Sequence, residues 1–421
     1  MMPHFETGPS RRFLLGAAGS LLASAGTGLL RPARAQAAEK GVAFWGDHQA
    51  GIVTPQQSHT YFAAFDLTTE KRADVQALLR KWTEGAAKLS RGEPIDPVEL
   101  GTGYDNEPQP PVPDSGEGAG LGMSRLTITF GFGPGLFTRD GKDRYGLAAK
   151  RPEAFVDLPK FQGDQLVPEH TGGDLSVQAC ADDPQVAFHA IRAMAVLADG
   201  VAEMRWAQTG FLSAPAGGQT PRNLMGFRDG THTPEQVDKV VWVAAEGPAW
   251  IRGGSYLVVR RIRIALEHWD RTPVSFQETT IGRHKQSGAP IGLKDEFAPL
   301  GLDRTDADEN PVIAEHAHVR MANAANIGSA EILRRGYSYN DGLSFTAERW
   351  PPWRQGMEFD AGLLFICYQN DPRTGFIPMF EEMAKFDMLN QFTTHTGGGI
   401  FACPPGVKPG QFIGETLFQS V

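Results

Sequence analysis

The chain has 421 residues, is 41 % hydrophobic by composition and carries a formal charge of −9. That length accommodates two domains of ordinary size. An acidic balance without a lysine/arginine block excludes nucleic acid and anionic membrane surfaces as the main partners.

The N-terminus reads Ser10-Arg11-Arg12-Phe13-Leu14-Leu15. An uncharged apolar run extends from Phe13 to Leu30, and Ala33-Arg34-Ala35 closes it with a small-x-small pattern. This predicts a twin-arginine signal peptide over residues 1–35, cleaved near Ala35 or Ala37. The run approaches the length of a membrane span, but its glycine content and the Ala-x-Ala ending argue for cleavage. No cysteine follows it, which argues against a lipid anchor, and no later run is long and apolar enough to cross a bilayer. The twin-arginine route carries folded proteins, so it suits a protein that acquires a cofactor before crossing. The compartment expected is the periplasm or the exterior. Cleavage removes four arginines and one glutamate and leaves the mature chain more acidic.

The mature chain opens on an irregular, Gly-bounded stretch, Phe44 to Ile52. His59 to Leu67 alternates apolar and polar residues, as a strand does. Thr69 to Leu89 places Val75, Leu78, Leu79 and Trp82 at helical spacing. Arg91 to Gly122, rich in Gly, Pro and Asp, reads as a long surface loop, and Arg125 to Phe132 as a second strand. Leu175 to Cys180 is a third strand, after which Asp183-Pro184 opens a helix carrying Val186, Ile191, Met194 and Leu197. The order then recurs. Ser255 to Ile264 is a strand standing where His59 to Leu67 stands in the first half. Leu363 to Tyr368 is followed by Asp371-Pro372 and a helix through Phe380 and Met383. A repeat of that size predicts two duplicated α+β domains, each a ferredoxin-like unit with an antiparallel sheet, over 41–215 and 216–421. The boundary is expected in the Gly/Pro loop near Ala216.

Chemistry-bearing residues gather in the second half. Gly226-Phe227-Arg228-Asp229-Gly230-Thr231 presents one carboxylate between two glycines; alone it is an ordinary Asp-Gly turn. Ala317-His318-Val319-Arg320-Met321-Ala322-Asn323 follows, then Leu333-Arg334-Arg335-Gly336-Tyr337-Ser338-Tyr339. If His316 and His318 lay on a strand, both would face one way and could chelate zinc or copper.

A carboxylate, a histidine and an arginine in this order resemble the haem site of the dye-decolourising peroxidases, whose G-x-x-D-G signature is present in full. Residues 44–57 resemble the start of the EfeB-type branch of that family. The resemblance implies two ferredoxin-like domains, with non-covalent haem b held in the C-terminal one. Covalent c-type attachment is excluded, because the three cysteines, Cys180, Cys367 and Cys403, form no Cys-x-x-Cys-His. The family pattern places the iron ligand on His318 rather than His316, with Asp387 as acceptor for the ring's other proton. On the opposite face Asp229 is expected to move the peroxide proton and Arg334 to stabilise the departing oxygen. An arginine beside the aspartate favours its ionised form and suits work at acidic pH. Arg335 is expected to point the other way. Gly230 and Thr231 are expected to line the haem edge, and Arg320 to pair with a propionate.

The activity implied is reduction of hydrogen peroxide with oxidation of dye-like or phenolic donors. The EfeB-type branch adds deferrochelatase activity, the release of iron from intact porphyrin, with components of an iron-uptake system as partners. A haem-binding protein without turnover and a non-haem metalloprotein using His316 and His318 are the competing readings. The family implies a homo-oligomer, often a dimer.

Overall fold

A computed structural model describes residues 41–95, 114–213, 215, 218–347 and 355–419. The expected signal peptide with Arg11 and Arg12, residues 96–113 of the expected loop, and Ala216 at the expected boundary lie outside the described residues.

In the first half, β1 (His59–Leu67), α1 (Arg72–Leu89), β2 (Thr127–Phe132), β3 (Leu175–Ala181), α2 (Pro184–Leu197) and β4 (Ala202–Phe211) follow one another. β1 lies between β3 and β4, and β3 carries β2, all antiparallel. That order is the ferredoxin-like one. α1 buries Val75, Leu78, Leu79 and Trp82, the apolar stripe that its spacing predicts. Trp82 donates its indole N–H to the Met194 carbonyl of α2 at 2.8 Å, which ties the two helices together. Asp183 caps α2 as expected, accepting from the backbone N–H of Gln185 (2.7 Å) and Val186 (3.2 Å).

The second half repeats the scheme with more material between its strands. α3 (Val237–Val241) precedes β5 (Ser255–Ile264). The short helices α4 (Leu266–Asp270), α5 (Val274–Ile281), α6 (His318–Met321) and α7 (Ala324–Ile327) separate β5 from β6 (Leu333–Arg334) and β7 (Tyr337–Ala347). β8 (Gln355–Gln369), α8 (Phe376–Phe386) and β9 (Thr393–Cys403) complete it. β5 lies between β8 and β9, and β7 flanks β8, so the spatial order of the first half recurs. The echo is imperfect at one place. Asp371 does not cap α8; its Oδ1 accepts from the Arg373 backbone N–H at 2.8 Å in a turn, and α8 begins only after Gly375.

The two sheets meet at both edges, through Phe132 opposite Ala402 and Phe211 opposite Ser338, so that strand pairing closes on itself. One face of the second sheet carries Arg260 and Ile262 of β5, Leu363 and Phe365 of β8, and Thr393 and His395 of β9. The two-residue period of a strand puts these on the same side. They line a cavity of about 940 Å³ whose other walls include residues of α6, α8 and the loop through Asp229.

Candidate active site

The loop before β5 presents Asp229. Asn223 organises it: its side-chain oxygen accepts from the backbone N–H of Met225 (3.1 Å) and Phe227 (3.2 Å). Gly226 (φ 83°) and Gly230 (φ 104°) supply left-handed backbone that other residues adopt only with strain. At Gly226 a Cβ would also come within 2.8 Å of Lys285. The buried Trp269 supports the loop from below, donating to the Met225 carbonyl at 3.0 Å and packing edge-on against Phe227. The Asp229 backbone N–H donates to the Pro221 carbonyl at 2.8 Å. Arg228 turns to Glu296 (3.1 Å), which also accepts from the Thr231 hydroxyl at 3.2 Å. Asp229, Gly230 and Thr231 all line the cavity.

Arg334 stands on β6, and its Nη1 lies 3.6 Å from Asp229 Oδ1, both side chains about one-third exposed. Strand alternation sends Arg335 the other way. It is buried and donates to the Thr54 carbonyl and to Gln57 Oε1 (3.3 Å).

His318 is the first residue of α6, not part of a strand. Its Nδ1 lies 2.7 Å from Asp387 Oδ2, and the Asp387 side chain is 2 % exposed. Asp387 ends α8 and caps the turn that follows, its Oδ1 accepting from the Leu389 N–H at 2.8 Å. Both carboxylate oxygens are therefore committed, and the Oδ2 bond assigns the ring proton to Nδ1. Nε2 keeps its lone pair. Burial pushes the His318 imidazole down; the Asp387 charge and hydrogen bond push it up by more, and the net shift is upward. Asp229 and Arg334 also act electrostatically on the ring, so all three groups share one cavity.

Two expectations are corrected. Arg320 does not reach the cavity. Its guanidinium donates through Nε and Nη2 to the carbonyls of Leu302 (2.7 Å), Ile313 (2.9 Å) and Ala314 (3.3 Å), bracing the loop before α6 outside the cavity lining. His316 does not share a face with His318, because the helix starts between them; its ring packs on Phe386, with centroids 5.7 Å apart. Among the described residues no group of three or more His, Cys, Asp or Glu side chains is placed to hold a metal ion.

Sequence reasoning missed Arg283, which lines the cavity. Its Nη1 donates to the carbonyls of Gly288 (2.7 Å) and Glu296 (2.9 Å), and among the described residues no carboxylate lies in ion-pair range. Burial lowers its pKa, partly countered by Glu296 and reinforced by Arg334. The only sequence signal was an arginine after the glycine that ends α5, too weak to single out.

The family described as Dyp-type peroxidase, C-terminal, matches residues 220–408, and Dyp-type peroxidase, N-terminal, matches residues 49–212. The chain is 36 % identical over 435 residues to a deferrochelatase of Shigella flexneri serotype 5b, covering 98 % of this chain and 97 % of that one. It is 36 % identical over 390 residues to a dye-decolorizing peroxidase of Thermobifida fusca, covering 88 % and 84 %. Among solved structures, the oxyferrous complex of DtpA from Streptomyces lividans superposes with a TM-score of 0.79 at 37 % identity, covering 90 % of this chain and 98 % of that one.

Proposed function

The chain belongs to the Dyp-type peroxidase family, and from that premise we propose that it is a haem b peroxidase, reducing hydrogen peroxide and oxidising dye-like or phenolic donors. The observation that carries this reading is the pairing of a free His318 Nε2 with the Asp229–Arg334 pair in one cavity.

The residues fit haem. The walls offer apolar side chains, including Ile262, Leu363, Phe365 and Met379, for a flat macrocycle. His318 offers a neutral nitrogen to iron, made more basic by the buried Asp387. Arg283, without a carboxylate of its own, offers a cation to an acidic ligand. Haem bound there supplies the redox chemistry.

The protein's own work is proton transfer and charge stabilisation. Asp229 takes the proton from one peroxide oxygen and returns it to the other, so that the departing oxygen leaves as water. Arg334, permanently charged and 3.6 Å from that carboxylate, stabilises the negative charge that develops as the O–O bond breaks. Asp387 keeps His318 in one tautomer and orientation. Two electrons from donors and two further protons complete the reduction of each peroxide to two waters.

A second reading is deferrochelation, with iron as the substrate, which the likeness to proteins of that name supports. Both readings need His318, but only peroxide turnover needs Asp229 and Arg334; a haem carrier without turnover needs neither. Purified haem-loaded protein, assayed side by side for peroxide-dependent dye oxidation and for release of iron-free porphyrin, tests the choice. Dye oxidation without porphyrin release supports the peroxidase. We further propose export by the twin-arginine route to the periplasm, from Arg11 and Arg12, a homodimer, and partners in iron uptake. Among the described residues no helix is long and apolar enough to cross a membrane.

A further inference from the structure

A second polar group reaches the cavity from the sheet side. His395 of β9 lines it, half-buried, edge-on to Phe380 of α8 with centroids 4.6 Å apart. Its Nδ1 lies 3.2 Å from Arg260 Nε. An arginine only donates, so Nδ1 accepts and the ring proton sits on Nε2. Arg260 is 2 % exposed, ion-paired to the buried Asp164, and lies over the rings of Phe161 (5.5 Å) and Phe380 (5.3 Å). Asp164, Arg260 and His395 thus form a buried series that fixes both the tautomer and the tilt of the imidazole. Burial, then the Arg260 charge, holds that ring well below the usual histidine range, so it is neutral.

Among the described residues the Nε2–H has no hydrogen-bond partner. Its neighbourhood is the aromatic cluster Phe365, Phe376 and Phe380. A donor fixed in one tilt among these rings presents its N–H to an acceptor in the cavity.

We propose that His395 Nε2–H, positioned by Arg260 and Asp164, is a hydrogen-bond donor to a carboxylate of the porphyrin. The inference rests on the haem reading above. The rim of protoporphyrin IX carries methyl, vinyl and propionate groups, and only the propionates accept a hydrogen bond. Asp164 already neutralises Arg260, so the site presents a directed neutral N–H rather than net charge. That favours an acceptor whose own charge is balanced elsewhere in the cavity, where Arg283 lacks a carboxylate.

The test uses metal-free protoporphyrin IX and its dimethyl ester, titrated by fluorescence onto wild-type apoprotein and the His395→Phe and His395→Gln variants. The ester keeps the ring and loses the anionic acceptors. His395→Phe should weaken binding of the diacid by about ten- to a hundredfold, the worth of a hydrogen bond to a charged group, and that of the ester by clearly less, because an ester carbonyl accepts only the weaker neutral bond. His395→Gln, which retains an N–H donor, should recover part of the loss. Equal weakening of diacid and ester in His395→Phe, or no change in either, overturns the proposal. So does an unchanged diacid preference together with a raised KM for a phenolic donor in the loaded enzyme, which would assign the group to the donor instead. If wild-type protein binds neither porphyrin nor haem, the haem reading itself fails, a result distinct from all of these.

Discussion

Replacing Asp387 by asparagine isolates the contribution of one buried carboxylate oxygen. In the native chain Oδ2 accepts from His318 Nδ1 at 2.7 Å while Oδ1 accepts from the Leu389 N–H at 2.8 Å. An amide cannot do both, since one of its two atoms only donates. If the oxygen stays with Leu389, the NH₂ faces Nδ1, which must then accept, and the ring proton moves to Nε2 where the iron belongs. If the amide turns over, the cap on the Met388–Gln391 turn is lost. Either arrangement forfeits a charged hydrogen bond worth about 1.5–3 kcal/mol, and loss of such a partner typically costs about 10–100-fold in metal affinity. Haem transfer from Asp387→Asn to apomyoglobin should therefore be faster by about that factor. The apoprotein adds a second readout. Folded His318 has a pKa above its unfolded value, so its stabilisation is fully present below about pH 6.5 and is lost as pH rises through the folded value. Denaturant unfolding of the apoprotein should lose that pH dependence in Asp387→Asn. Wild-type haem retention, with an unaltered pH profile, would refute the assignment of Asp387 to His318.

Other expectations separate neighbouring residues. His318→Ala should lose haem or hold it weakly, whereas His316→Ala, whose ring packs on Phe386, should keep it; absorption spectra with the opposite pattern would reassign the ligand. Asp229→Asn should keep haem and slow peroxide reduction by less than loss of Arg334 does, since water can relay the proton while the arginine holds the peroxide. Stopped-flow traces at the wild-type rate in Asp229→Asn would remove Asp229 from the proton path. Replacing Arg11 and Arg12 by lysine should strand the precursor in the cytoplasm, because the pair is read by a receptor rather than as charge. A normal periplasmic yield on fractionation would exclude the route.

Much of the fold was legible because local signals agreed with the global one. Period-two alternation marked β1, its place in the repeat marked β5, 3.6-residue spacing marked α1, and Asp183-Pro184 marked the start of α2. The duplicated order was visible for the same reason. Asp371-Pro372 was followed by the expected helix through Phe380 and Met383, although Asp371 holds a turn and α8 starts only after Gly375. In the site, Asp229, His318, Arg334 and Asp387 were singled out through the resemblance to the dye-decolourising peroxidases, and the structure brings them to one cavity. Arg320 failed because an arginine beside a ligand residue says nothing about which acceptors are nearer. Three carbonyls of the preceding loop hold its Nε and Nη2 away from the cavity lining. Arg260 and His395 left no trace, since their pairing crosses from β5 to β9 and only the sheet register places them together.

In the proposed function, Arg334 and Asp229 make this cavity a site of peroxide reduction rather than of haem carriage. The most direct measurement is the second-order rate constant for hydrogen peroxide reacting with haem-loaded Arg334→Leu, compared with wild type by stopped flow. Removing one such electrostatic donor costs on the order of 10²–10³ in rate, and a loss of that size is expected with haem occupancy unchanged. A variant that reacts at the wild-type rate with full haem would contradict it.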